Sequence, residues 1–191
     1  MTAADHRGSL MIREWTILER KPVEDHGIFK VHTKIVRSPR TGAAMEVKAI
    51  SFGDWVMALP LTVDGKVVMV RQYRHGTEGV SLELPGGLVD PADTCPEAAA
   101  KRELEEETGY EALEYVLIGS CFPQPAVLEN RGFFVLASNV RLTSESQPDP
   151  GEEIETVLFP LDDIPGMIRK GQISNGMVQL AFYKYFMHYK K

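Results

Sequence analysis

The run Arg102-Glu103-Leu104-Glu105-Glu106-Glu107 sets four glutamates within five positions. On a helix, at about 100° per residue, Glu106 and Glu107 fall about 60° and about 40° to either side of Glu103. Those three carboxylates share one face, and Glu105 is expected to point nearly opposite, into solvent. Like charges at this spacing repel, and the one internal remedy is Arg102, four residues before Glu106. A hard divalent cation removes the repulsion, because oxygen-only ligands on a rigid helix suit magnesium or manganese. Alone, the run reads equally well as a solvated acidic helix end. Leu84-Pro85-Gly86-Gly87, just upstream, shifts that balance. It puts two glycines at a strand end, where bare backbone can approach a metal or a phosphate.

These residues need a scaffold, and the hydrophobic patterning supplies one. Residues 14–18, 29–36 and 46–52 read as strands, with a turn at Arg40-Thr41-Gly42. Residues 56–63 and 66–74 flank Asp64-Gly65, a strong hairpin signal. A short strand at 81–84 leads through the loop 85–93 to a helix over 95–108, closed by Gly109. Thr94-Cys95-Pro96-Glu97 reads as a capping box with Thr94 as N-cap. Strands at 115–120 and 132–137, a polar linker at 143–151 and a strand at 156–160 follow. Helices over 162–169 and 175–188 end the chain; Val178, Ala181, Phe182 and Tyr185 give the second an apolar face. Strands, helix, strands, helices is an α+β order rather than a regular parallel α/β one. The strands of residues 1–53 form a candidate separate N-terminal sheet ahead of a main domain over 54–191, and residues 1–12 read as frayed.

Bulk properties exclude several classes. A chain of 191 residues with 43% hydrophobic and 25% charged residues fits one domain with a small added lobe. A net charge of −6 argues against nucleic-acid or membrane-surface binding, where basic charge meets phosphate. A small phosphate-bearing ligand stays compatible, since a bound metal and local arginines reverse the sign of the field. Cys95 and Cys121 have neither metal-ligand nor disulfide spacing, and read as reduced thiols of a cytoplasmic protein. The N-terminal Asp5, His6 and Arg7 stand where a signal peptide would need an apolar run, and no stretch has the length of a membrane span.

Gly87, Arg102-Glu103-Leu104, Glu106-Glu107, Gly109 and Tyr110 together resemble the Nudix box, G-x5-E-x7-R-E-U-x-E-E-x-G-U. The flanking strand order and the C-terminal helix are similar to the ADP-ribose pyrophosphatase branch of that family. The box's first glutamate falls on Thr94 counting back from Arg102 and on Asp93 counting forward from Gly87, so the loop is one residue longer than the pattern. The resemblance implies an α/β/α sandwich with a mixed sheet and a small N-terminal antiparallel sheet. It implies metal ligation by Glu103, Glu106, Glu107 and the Gly86 carbonyl, with Arg102 orienting the carboxylates. Mg2+ is the expected cofactor, Mn2+ its alternative.

The general base in relatives lies outside the box, and Glu152 and Glu153 are the candidates here, with Glu152 favoured. Arg74 matches the arginine of a Q-Y-R element that contacts phosphate; Arg71, on the opposite strand face, reads as structural. Glu83 reads as an arginine partner. Pro125, fifteen residues beyond Tyr110, resembles a substrate-site marker of ADP-ribose pyrophosphatases. The implied activity is hydrolysis of a nucleoside diphosphate linked to another moiety, with ADP-ribose or an ADP-sugar giving AMP and a sugar phosphate. A hydrolase of another nucleotide sugar or dinucleotide, and a non-catalytic nucleotide-binding module, are the alternatives. Related pyrophosphatases dimerise by exchanging the N-terminal sheet, so a homodimer through residues 14–52 is expected.

Overall fold

The structure, a computed structural model, describes residues 12–148 and 151–189. The expected fraying of residues 1–12 falls, apart from the exposed Ile12, on residues outside that range. The chain divides into two compact units, Met1–Phe52 with Ala126–Glu129, and Gly53–Pro125 with Asn130–Lys191.

The first unit is an antiparallel sheet of β1 (Thr16–Arg20), β2 (Glu24–Asp25), β3 (Lys30–Arg37) and β4 (Ala44–Ser51). Strand β3 pairs with β4 along its whole length, and with β1 and β2 at its two ends. The β3–β4 turn closes where the sequence places it, with Gly42 at φ 72° donating its N–H to the Ser38 carbonyl at 2.9 Å. The two-residue β2 is too short to leave a sequence pattern.

In the second unit, β5 (Trp55–Thr62), β6 (Lys66–Arg74) and β7 (Gly79–Glu83) precede α1 (Pro96–Thr108). Then come β8 (Tyr110–Glu111), β9 (Glu114–Cys121), β10 (Gly132–Leu142) and β11 (Ile154–Pro160), a 3-10 turn at Leu161–Asp163, α2 (Ile164–Arg169) and α3 (Gly176–His188). The sheet runs β11-β6-β5-β10-β8, with β7 also on β6 and β9 also on β10. It is mixed, because β10 pairs with β5 in parallel and the other pairings are antiparallel.

The apolar runs of β5, β6 and β10 are buried on both faces, as a sheet covered on two sides requires. Val56, Ala58, Val68, Val135 and Ala137 pack with Ala99, Ala100 and Leu104 of α1. The alternate residues Met57, Leu59, Val67, Met69, Phe134 and Leu136 pack with Ile164 of α2 and with Val178, Ala181 and Phe182 of α3. Period-2 alternation thus divides each strand between two cores and makes the α/β/α sandwich. Strand β10 runs past the expected end at 137, because a bulge between Ser138 and Val140, with Asn139 at φ 57°, absorbs the polar pair that interrupts the apolar pattern.

Helix α3 starts as its sequence indicates, the Asn175 side chain accepting from the Met177 and Val178 amides. Among the described residues no helix is long and apolar enough to cross a membrane.

Candidate active site

Residues 85–87 run beside β5: the Pro85 carbonyl accepts from the Ala58 amide at 2.8 Å and the Gly87 carbonyl from the Val56 amide at 2.9 Å. The Gly86 carbonyl stays outside this pairing. A Cβ at Gly86 would lie 2.2 Å from the Val56 carbonyl oxygen, so no other residue fits without moving β5. A Cβ at Gly87 would stand 2.7 Å from a carboxylate oxygen of Glu103. The two glycines therefore let backbone lie against β5 on one side and against the α1 carboxylates on the other.

The start of α1 differs from the expected capping box. Its N-cap is Cys95, with no side-chain cap bond, and Thr94 lies one residue outside the helix. Two features set this register. Pro96 takes the first helical position, where its missing N–H is no loss. The preceding turn is closed by the Asp93 carboxylate, which accepts from the Asp90 amide at 2.8 Å. Asp93 also receives Arg102 Nη2 at 3.0 Å and Nε at 3.4 Å, and this holds its pKa below the ordinary carboxylate range. Asp93 is a residue the helix pattern alone misses; the count forward from Gly87 is the signal that finds it.

At its other end α1 stops on Gly109, at φ 71°, whose amide reaches the Glu105 carbonyl. Thr143 and Ser144 donate their amides to the Gly109 carbonyl, and Gln147 donates its amide to the Glu106 carbonyl at 2.7 Å. The start of the segment expected to be a polar linker is thereby clamped to the helix that carries the carboxylates.

Those carboxylates are graded in burial. The Glu106 side chain is 49% exposed and that of Glu103 13%, while Glu107 is only 4% exposed. Arg102 bridges the first two through Nη1, at 2.8 Å to Glu103 and 3.0 Å to Glu106. Its Nη2 also donates to the Leu88 carbonyl at 3.0 Å, so one guanidinium joins the loop to the helix. Burial nonetheless holds the Glu103 pKa above its ordinary value, against the pull of Arg102. Glu107 has no such arginine. Its Oε2 accepts from the Gly86 amide at 3.2 Å, and burial, helped by Glu103, pushes its pKa up to about 8. Glu105 departs from expectation: it is half-buried rather than solvent-facing, with Lys101 at 3.5 Å.

A second wall comes from β6. Gln72 and Arg74 share the parity of Val68, whose side chain packs against α1, so all three lie on the sheet face that α1 covers. Arg74 forms a two-point ion pair with Glu83, Nε to Oε1 at 3.2 Å and Nη2 to Oε2 at 2.9 Å. Burial raises the Glu83 pKa, but the Arg74 bond outweighs it and leaves the carboxyl below its ordinary value. Arg74, Glu83, Ser81, Thr77 and Asn175 help line a cavity of about 660 Å³.

Glu152, just before β11, accepts from Gln72 Nε2 at 3.3 Å, and its charge acts on Glu103, Glu107 and Arg74. Glu153 is exposed, and Arg71 pairs with Glu155 on the surface at 2.9 Å. The fold therefore brings Gly86, Arg102, Glu103, Glu106, Glu107, Arg74 and Glu152 to one region. Pro125 sits in an exposed turn and is not among the residues lining the cavity.

Among the described residues no group of three or more Asp, Glu, His or Cys side chains is drawn together tightly enough to close round a metal ion. Arg102 takes up lone pairs of Glu103 and Glu106, and a cation would have to share those two carboxylates with it. The donor set still fits a hard divalent ion. It is made of oxygen alone, and the raised Glu103 and Glu107 pKa values mark a site short of positive charge.

Residues 53–178 match the family model described as the NUDIX domain. The chain is 28% identical over 170 residues to the ADP-ribose pyrophosphatase of Bacillus subtilis, covering 86% of this chain and 91% of that one. It is 30% identical over 152 residues to the ADP-ribose pyrophosphatase of Mycobacterium tuberculosis, covering 78% and 72%. A crystal structure of an ADP compounds hydrolase superposes with a TM-score of 0.81 over 92% of this chain and 94% of that one; at 23% identity this is a likeness of fold.

Proposed function

From the premise that the chain belongs to the NUDIX domain family, we propose that it hydrolyses ADP-ribose or an ADP-sugar to AMP and a sugar phosphate in a divalent-metal-dependent reaction. One observation carries this reading. Glu107 is 4% exposed and its hydrogen bond comes from the Gly86 amide rather than from a basic side chain, so the site holds a buried carboxyl with no cationic partner of its own, which a bound cation would pair.

Glu103, Glu106 and Glu107, with the Gly86 carbonyl, hold the metal, and Mg2+ is the ion proposed, with Mn2+ as a substitute. When bound, the ion neutralises the anhydride oxygens and makes water a competent nucleophile near neutral pH. Arg102 fixes the orientation of Glu103 and Glu106 and ties both to the loop through Asp93 and the Leu88 carbonyl. Glu152 acts as general base, accepting the proton of the attacking water. Arg74, already oriented by Glu83, meets a substrate phosphate, and Pro125 belongs to the loop that bounds the substrate.

The protein is proposed to act in the cytoplasm as a homodimer, without nucleic-acid or membrane partners. The free thiols Cys95 and Cys121 and the net charge of −6 support this setting. Initial rates with Mg2+ on ADP-ribose, UDP-glucose and NADH test the assignment. Turnover of ADP-ribose well above the other two is expected. The reverse order would assign a different nucleotide substrate, and binding without turnover under any metal would leave a nucleotide-binding module.

A further inference from the structure

Gln72 is 6% exposed, and its amide lies among charged groups without being one of the residues the box names. Its Nε2 donates to Glu152 Oε1 at 3.3 Å. An ionised carboxylate only accepts hydrogen bonds, so the amide nitrogen must face Glu152, and this fixes which way the side chain is turned. The other end, Oε1, is buried and has no partner among the described residues. Buried polar atoms are nearly always paired, so an acceptor left over beside a reactive region awaits a donor brought from outside the chain.

The surroundings give this contact its use. Glu152 lies two residues before β11, outside any strand or helix, and β11 meets β6 with Ile154 opposite Gln72. Gln72, by contrast, is fixed in mid-sheet, with Ile154 of β11 on one side and Ser81 of β7 on the other. A strand residue thus bonds a loop carboxylate whose charge acts on Glu103 and Glu107.

We propose that Gln72 is the positioning residue for Glu152. Its Nε2 holds the carboxylate over the acidic face of α1, and its Oε1 accepts a hydrogen bond from the water or substrate hydroxyl entering there. This rests on Glu152 acting as the base in the reaction proposed above.

A double-mutant cycle of Gln72→Met and Glu152→Gln, assayed with ADP-ribose and saturating Mg2+, tests it. Methionine keeps the length and burial of glutamine, and circular dichroism checks that each variant is folded. Glu152→Gln is expected to lower kcat by roughly 10²–10⁴-fold, as for loss of a general base. Gln72→Met should lower kcat by about tenfold or more with KM within about twofold, since misplacing a reacting group slows the step without weakening binding. The double variant should be no slower than Glu152→Gln alone.

If the two losses multiply, or if Gln72→Met changes KM and leaves kcat intact, Gln72 does not act through Glu152 and the inference falls. If Glu152→Gln keeps wild-type kcat, the assignment of the base falls first and takes this inference with it. A wild type that does not turn over ADP-ribose would overturn both.

Discussion

At pH 7 a carboxyl that titrates at about 8 is mostly protonated, so Glu107 of the metal-free protein is largely neutral and becomes anionic only when a cation displaces its proton. The sign of the linkage follows. The folded pKa lies above the ordinary 4.5, so the native state holds more protons than the unfolded chain between those values. Metal-free stability therefore declines as pH rises through that window, and cation affinity climbs until pH reaches about 8. Thermal unfolding in EDTA and in Mg2+ should give a larger Mg2+-dependent rise in Tm at about pH 8 than at about pH 6. A rise that is equal at both would show that Glu107 is not the proton-linked ligand. Glu107→Gln should remove the metal-dependent shift, leave the fold intact and lower kcat/KM by about 10²-fold or more, equivalent to about 3 kcal/mol. Near-normal activity in that variant would sink the metal site. The three carboxylates are legible in the sequence because helical spacing puts them on one face. The Gln72–Glu152 contact is not, because it spans 80 positions and depends on how β11 registers against β6.

The elements tell the same story at the next size up. Apolar alternation located β5 and β6, and Asp64-Gly65 their turn, because those signals are local; Gly65 adopts φ 78° there as such a turn requires. The start of α1 departs from the expected capping box for an equally local reason. Thr94 and Cys95 stand side by side ahead of Pro96, and the capping-box pattern scores Thr94 without weighing that proline prefers the first helical position. The observed helix start has a measurable consequence. With Cys95 as an N-cap that makes no side-chain bond, Thr94→Ala should change unfolding free energy by less than about 0.5 kcal/mol. Cys95→Ser places a hydroxyl at the cap and should stabilise by about 0.5–1 kcal/mol. Urea titrations of the two variants separate the registers. A loss of about 1 kcal/mol at Thr94, with no gain at Cys95, would restore Thr94 as the cap.

For the molecule as a whole, the uneven distribution of core matters most. In the second unit both sheet faces are covered, whereas among the described residues of the first unit Val36 is the one buried hydrophobic side chain. Every residue of β1 is exposed, and its adjacent residues Ile17 and Leu18 are 43% and 42% exposed. Trp15, Val23, Ile28 and Met45 add further exposed apolar surface to this unit. A sheet with so little interior gains stability from a partner that covers its exposed apolar side chains. The proposed homodimer answers that need with a second copy of the same sheet. Sedimentation should therefore find a species of twice the 21.3 kDa chain mass at micromolar concentration. Ile17→Lys with Leu18→Glu should shift it to monomer and lower Tm, since each copy then loses the cover for its first unit. A wild type that sediments as a monomer, or a charged variant that stays dimeric, would move the interface away from β1.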